Sequence, residues 1–468
     1  MVPFFPKQIA VRAIAVYIAA LTIISLLYFN FAMSWGYFAL GIMWVVGFFL
    51  LAYYFSISWK DITVAEYIKN LIIVALVLRI VWVVASYFYY IRATGMPFEF
   101  GAADSFGYHD EAAWLAESPW SVAWDYYFGA GATGISDVGY PLYLTLVYKI
   151  FGPAIIIPRI FKTCLSTLTC FLIYKLSSRT FGEQTGRMAG IMAALMPNLI
   201  IYCGYHLKET EMLLLEVAFL ERLDYLVRSK RFNLVTVLVP TLLAGSLFFF
   251  RTVLGAAAVF AFASTVILAS LPSLKKGGKR VALIGWGLLF VVALSGGTIA
   301  TEVEGYWEER DDNVVSKRYG QTIKGNQWAS YATGAVMAPM VFVLPYATMV
   351  NVDEQYSQQE KSGGNFVRNF MGLFAILAIY EAVRRKKWRE FVTIGSFVIA
   401  YLGVISISGY SNSERFLLPG LPGLIMMWSY GIATLNAKTY KAVFPWCILV
   451  LIMELAWAFF KLGSRGLF

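Results

Sequence analysis

Charge is scarce in this sequence. Of its 468 residues only 14% are Asp, Glu, Lys or Arg, where a soluble protein carries about 25%. Histidine is scarcer still: His109 and His206 are the two in the chain. The four cysteines, Cys164, Cys170, Cys203 and Cys447, lie in or beside apolar runs without metal or disulfide spacing, so core positions are expected for them. A Gly-rich nucleotide loop is missing in both of its standard patterns, and no repeat or low-complexity tract occurs. One stretch lacks a whole sign of charge. Met96–Val138 holds Glu99, Asp104, Asp110, Glu111, Glu117, Asp125 and Asp137, and no Lys or Arg.

What fills the chain instead is apolar sequence, 59% of it. Runs of about 20 apolar residues, the length that crosses a hydrocarbon core, recur from Val11 to Phe460. They predict an all-α fold: a polytopic transmembrane helical bundle of about 13 spans forming one domain over residues 1–468. The first run has no small-residue cleavage site after it and is read as a span rather than a signal peptide. The net charge of +10 is not a nucleic-acid footprint, because the basic residues sit in short loops between spans and report topology.

Lys7 and Arg12 place the N-terminus in the cytoplasm. Val11–Phe29, Trp35–Phe55 and Asn70–Ile91 then lead to a first outer loop, 92–157, which contains the base-free stretch. Its Trp114, Trp120, Trp124, Tyr126, Tyr127 and Phe128 suit helices lying at headgroup level, and Pro141–Phe151 is too short to span upright. Further spans follow: Pro158–Leu176, Met188–Cys203, Leu213–Val227, Leu234–Phe250, Val253–Leu271 and Val281–Ala300. A second outer loop, 301–365, carries Glu302, Glu304, Glu308, Glu309, Asp311 and Asp312. Within it Ala335–Val350 is apolar but broken by Pro339 and Pro345, so it is expected to dip in and return or to lie along the outer face. Phe366–Val383 runs inward to the basic run Arg384–Arg389, which marks the cytoplasmic side again, and Phe391–Ser408, Phe416–Ala433 and Val443–Phe460 complete the count.

Within the first loop, Gly101–Glu117 reads as a helix from about Ser105 with Asp104 as its N-cap. Tyr108, Ala112 and Leu115 share one face, with Asp110 and Glu111 off it. The topology sends most of the polar interruptions to one side: Asp104, Tyr108, His109, Arg159, His206, Lys208, Glu209, Arg251 and Arg415. Arg79 and Glu216 remain near the midplane and are expected to pair with each other.

Several motifs occur in order: Asp104-Ser-Phe-Gly-Tyr108-His109 with Ala112, Gly139-Tyr-Pro-Leu-Tyr143, Pro158-Arg159, Tyr205-His-Leu-Lys-Glu-Thr210, and Ser411-Asn-Ser-Glu-Arg-Phe-Leu-Leu-Pro-Gly-Leu-Pro422. In this order and sidedness the chain resembles the GT-C superfamily of integral-membrane glycosyltransferases, in particular the lipid-phosphosugar enzymes related to protein O-mannosyltransferases and aminoarabinose transferases. The resemblance implies a polyprenyl-phosphate-linked sugar donor among the membrane lipids, an acceptor hydroxyl on a glycan, lipid or protein, and inversion at the anomeric carbon. It implies a bacterial inner membrane with the site facing the periplasm, and no nucleic-acid partner. Asp104 is the expected base. Arg415, Lys208, Arg251 and Arg159 are expected at the donor phosphate, where fixed cations stabilise the charge that gathers on the leaving group. Tyr108, His109, Asp110, Glu111, His206 and Glu209 are further site candidates. No cofactor is required, although a divalent metal on Asp104, Asp110 or Glu111 remains open. Two other functions are weighed: a polymerase or ligase of polysaccharide export, and a transporter or flippase.

Overall fold

The computed structural model describes residues 4–129, 135–229, 233–269, 277–295, 340, 342–352, 355–407 and 413–467. Among them the regular structure is α-helical with short 3-10 turns, and the one β-feature is an isolated bridge between Ala32 and Val350. This is an integral membrane protein with an all-α fold, as the apolar runs require: in lipid a helix satisfies its own backbone.

In chain order the helices are α1 (Lys7–Leu27), α2 (Trp35–Ser58), α3 (Val64–Thr94), α4 (Ala103–Glu117), α5 (Trp120–Phe128), α6 (Gly139–Phe151), α7 (Ile156–Phe181), α8 (Glu183–Leu195), α9 (Pro197–Ile201) and α10 (Glu209–Arg228). They continue with α11 (Leu234–Phe248), α12 (Thr252–Leu268), α13 (Gly277–Ser295), α14 (Tyr356–Glu360), α15 (Ser362–Arg384), α16 (Val392–Ile407), α17 (Glu414–Leu417), α18 (Leu421–Ala433), α19 (Ala437–Tyr440) and α20 (Val443–Gly463). Local chemistry sets several ends. A reciprocal Thr63–Glu66 capping box starts α3, and Gly95, at φ +79°, ends it in the left-handed region.

Among the described residues seven helical segments are long and apolar enough to cross a membrane, or eight if the bent α8–α9 pair is one span. The expected count of about 13 is therefore not reached. α11, α12 and α16 are apolar but have only 15, 17 and 16 residues, about 25 Å or less at 1.5 Å per residue, short of a core of about 30 Å. α10 carries Glu209, Glu211, Glu216, Glu221, Arg222, Asp224 and Arg228, too many charges for a lipid-facing helix. α13 spends its first turn on Gly277-Gly-Lys-Arg280.

α7 lies against α3, α8 and α10, while α15 packs on α2 and α18. The break between α8 and α9 bends the chain by 52°, because Pro197 has no N–H to continue the ladder. The freed carbonyls of Ala193 and Ala194 accept from Arg79, at 3.2 and 3.1 Å. Arg79 also donates to Ala75 O (3.0 Å), Ser166 Oγ (2.7 Å) and Cys170 Sγ (3.1 Å). This corrects the expected Arg79–Glu216 pair. The guanidinium is fully used in bracing a helix break, and the buried Glu216 has neither carboxylate oxygen hydrogen-bonded.

The outer segment α4–α6 follows the sequence pattern with one correction. α4 begins at Ala103 with Ala102 as an N-cap that makes no side-chain bond, so Asp104 lies inside the first turn and does not cap the helix. Ser105, Ala112 and Leu115 are its buried face, Tyr108 is half-buried beside them, and α4 packs on α6. α6, with 13 residues, is too short to span, as expected. Residues 301–339 lie outside the described residues. Val343–Val350, the described end of Ala335–Val350, is buried, non-helical chain. Asn369 Nδ2 donates to its Val343 and Pro345 carbonyls at 2.5 and 2.8 Å, and Asn351 N–H donates to Phe31 O at 2.7 Å. Irregular backbone survives at such a place because protein, not lipid, surrounds it.

Candidate active site

α10 measures the molecule. Its first residue, Glu209, and its last, Arg228, lie about 30 Å apart by helix rise. Acidic residues in its first turn and Arg228 in its last suit the helix dipole. At the Arg228 end gather Arg179, Arg222, Arg384 and Arg385 with Glu221, Asp224 and Glu381. At the Glu209 end five separate stretches of chain meet in one ionic network.

Arg415 lies at its centre. One Nη bonds the Asp104 carboxylate and Nε bonds Glu209. Tyr108 hydrogen-bonds the same guanidinium. Arg251, the N-cap of α12, lies 3.7 Å from Glu209, donates to Tyr401 Oη at 3.0 Å and stacks 4.3 Å from the Phe416 ring centroid. The Tyr401 hydroxyl in turn donates to Phe416 O at 2.9 Å. Lys208 donates to Phe250 O at 2.6 Å and pairs with Asp137. Burial is graded: the side chains of Glu209 and Lys208 are 0% and 4% exposed, Arg415 is 21% exposed, and Asp104 and Asp137 are both 56% exposed. Burial, then the nearby Arg251 charge, lowers the Lys208 ammonium to about 7, and burial raises the Tyr108 hydroxyl to about 12.

Glu414, absent from the sequence candidates, aims this network. It accepts from Asn198 Nδ2 at 2.8 Å and from Tyr202 Oη, and it pairs with Lys361 at 3.2 Å. The short helix α17 is thereby pinned to the bent span and to the start of α15, and Arg415, its next residue, projects the other way. An acid beside Arg415, where a polar loop meets an apolar run, was the available sign. Asp137 and Tyr401 were also missed. Asp137 was one acid among seven in its stretch, and Tyr401 one aromatic in an apolar run.

Arg159 is not part of the network. It is fully buried and lies 3.5 Å from Glu99. Glu99 also accepts from Ser105 Oγ and, at 3.2 Å, from the His206 N–H. The two histidines meet through Tyr148, whose hydroxyl is 2.8 Å from His109 Nδ1 and 3.1 Å from His206 Nε2. Burial lowers both imidazoles, His206 far below its usual value with help from the Arg159 and Lys162 charges, so both are neutral at pH 7. Asp110 points to solvent, and Glu111 bonds Tyr127 of α5, with burial raising its carboxyl. Asp104, Asp110 and Glu111, the open metal set, thus lie in three different surroundings. Among the described residues no group of three His, Cys, Asp or Glu is placed to hold a metal ion.

The geometry groups Asp104, Tyr108, Lys208, Glu209, Arg251 and Arg415. It separates from them Arg159, His109, His206, Asp110 and Glu111.

No protein-family model and no curated protein matches this chain. Its fold is similar to three crystal structures of the Archaeoglobus fulgidus oligosaccharyltransferase. The apo form is 12% identical and matches with a TM-score of 0.49, covering 86% of this chain and 55% of that one. The form tethered with an acceptor peptide containing the NVT sequon is 13% identical, with a TM-score of 0.48 and coverages of 88% and 55%. The complex with Zn and sulfate is 12% identical, with a TM-score of 0.47 and coverages of 85% and 52%. This chain therefore spans about half the length of the structures it matches. These similarities correct two expectations. They are to an oligosaccharyltransferase rather than to O-mannosyltransferases or aminoarabinose transferases. The acceptor in the tethered structure is a sequon peptide, so the expected transfer to an acceptor hydroxyl, with Asp104 as its base, is withdrawn.

Proposed function

We propose that this protein is a membrane glycosyltransferase of GT-C type that takes its sugar from a polyprenyl-phosphate donor. The observation that carries the reading is the meeting of Asp104 and Arg415, distant in sequence, in one network with Lys208, Glu209 and Arg251 at a single end of the bundle. As the sugar leaves its carrier, negative charge collects on the lipid phosphate. Two guanidiniums and an ammonium, already desolvated and aimed by Glu209, Tyr401 and Phe250, stabilise that charge without reorganising at the moment of reaction. Asp104, the most exposed member with Asp137, faces the acceptor side, and the acceptor is a glycan, a lipid or a protein. No metal is needed in this reading, since side chains supply the cations.

The donor tail has an apolar place to enter. α11, α12 and α13 enclose a cavity of about 150 Å³ lined by Pro240, Ala244, Phe262, Val266 and Phe290, and α11 and α12 join at Arg251. With the Arg384–Arg389 end in the cytoplasm, the network faces outward, in a bacterial cell toward the periplasm. A transporter would instead gather its ionisable groups near the midplane.

The test is transfer rate against polyprenyl-phosphate-sugar concentration for Arg415→Lys and Arg415→Ala. A bidentate phosphate clamp loses about tenfold or more with lysine, which has the charge but not the planar fork, and loses more with alanine. Full activity with lysine shows that the planar fork of Arg415 grips no phosphate and ends the reading.

A further inference from the structure

The network holds three cations, Lys208, Arg251 and Arg415, and three carboxylates, Asp104, Asp137 and Glu209. It is already neutral. A donor phosphate brings at least one more negative charge, and adding it to a balanced, largely buried cluster is costly unless another anion leaves. The carboxylates differ in how readily they can go. Glu209 is fully buried beneath both arginines, whereas Asp104 and Asp137 are each 56% exposed. Asp104 stands on a helix and bonds Arg415. Asp137 stands on the turn before α6, at φ +74°, and bonds Lys208.

We propose that Asp137 is a displaceable counter-ion of the donor-phosphate site, holding the Lys208 ammonium in place until a phosphate oxygen takes over its position. The inference rests on the phosphate-binding reading above. Two contacts independent of the carboxylate keep the surroundings fixed when it swings out. The Gly139 N–H donates to Phe249 O at 2.8 Å, docking the turn against the residues before Arg251. The fit is tight there: a Cβ at position 139 would lie 2.7 Å from the Phe250 ring. Lys208 keeps its 2.6 Å bond to Phe250 O, so its aim survives the exchange. The displaced carboxylate moves into water, where its charge costs least.

The discriminating experiment measures binding of farnesyl phosphate to the full-length protein in detergent at pH 6 and constant salt. Asp137→Asn removes the charge and tolerates the left-handed backbone, and Asp137→Gly removes the whole side chain at a conformation that suits glycine. Both variants are expected to bind about tenfold more tightly than wild type, the worth of one charge-assisted bond no longer competed for. In a Lys208→Gln background the gain is expected to vanish, because Asp137 acts through that lysine. A role limited to clamping the turn predicts the reverse, with affinity unchanged or lowered in both variants, and that result overturns the counter-ion assignment while leaving the phosphate site standing. Failure of wild type to bind farnesyl phosphate at all overturns the site, and this inference with it.

Discussion

The two ends of α10 sit in charge clusters built in opposite ways. At the Arg228 end the partners are local or on adjoining helices. Arg228 pairs with Asp224 and Arg385 with Glu381 at i,i+4, and Arg384 with Glu381 at i,i+3. The cations there keep between 22% and 51% of their side chains exposed. At the Glu209 end Arg415 reaches Glu209 and Asp104 across separations of 206 and 311 residues, and Lys208 and Arg251 are almost fully buried. There the Glu221, Asp224 and Glu381 carboxylates are buried while their cations stay partly exposed; ion pairs whose cation keeps its water are worth less than fully desolvated ones, and these serve orientation in the membrane. A buried cluster drawn from five segments costs desolvation at every member, and such a cost is retained where the field it creates does chemistry.

If that contrast is right, substitutions at the two ends should separate by size. The largest effect is expected for Glu414→Ala, which strands buried Lys361, leaves the Tyr202 hydroxyl without its acceptor and takes from Asn198 Nδ2 one of its two acceptors, Asn365 Oδ1 remaining. Loss of a buried partner costs about 3–5 kcal/mol, so thermal stability in detergent should fall sharply together with activity. Asp104→Asn comes next. It leaves the fold intact, because Asp104 caps nothing and is half exposed, but removes the charge opposite Arg415. Transfer slowed by at least about tenfold at unchanged thermal midpoint is expected, and wild-type transfer would detach Asp104 from the site.

Acidity separates the ends more gently. With the Lys208 ammonium lowered to about 7, the residue is charged below that pH and neutral above it. Donor binding should weaken as pH rises through about 7, and Lys208→Arg, charged throughout, should flatten the profile. The folded value lies below the unfolded one, so the stability contribution of the residue rises with pH from about 7 upward. A binding profile flat in wild type would remove Lys208 from the phosphate site. The smallest effect belongs to the other end: Arg384→Ala, at a half-exposed pair, should shift stability by about 1 kcal/mol or less and leave transfer unaltered.

Much of this was legible from residue order. The short α6 and the amphipathic α4 follow from local chemistry, and the sidedness of the basic loops picked out the stretches that carry Asp104, Lys208, Arg251 and Arg415; the cap that starts α3 six residues before the expected Asn70 and the Pro197 break inside the expected span Met188–Cys203 were not read. The errors have a common origin. Asp104 looked like an N-cap because a cap is judged from one turn of sequence, whereas in the fold α4, packed on α6, begins two residues earlier. Arg79 and Glu216 looked like a pair because unlike charges in lipid usually find each other, but Arg79 instead met carbonyls exposed by a proline on a different helix.

The amino-acid sequence by itself determined that the chain enters a membrane, that its backbone there is helical, and where its cations collect, since hydropathy, helix periodicity and charge asymmetry act within windows of about 20 residues. Only the tertiary structure decided which of those charges share a site. That choice depends on three-dimensional approach between segments hundreds of residues apart. It brought Arg415 between Asp104 and Glu209, gave Arg159 to Glu99, and placed Asp137, one acid among seven in its stretch, on Lys208.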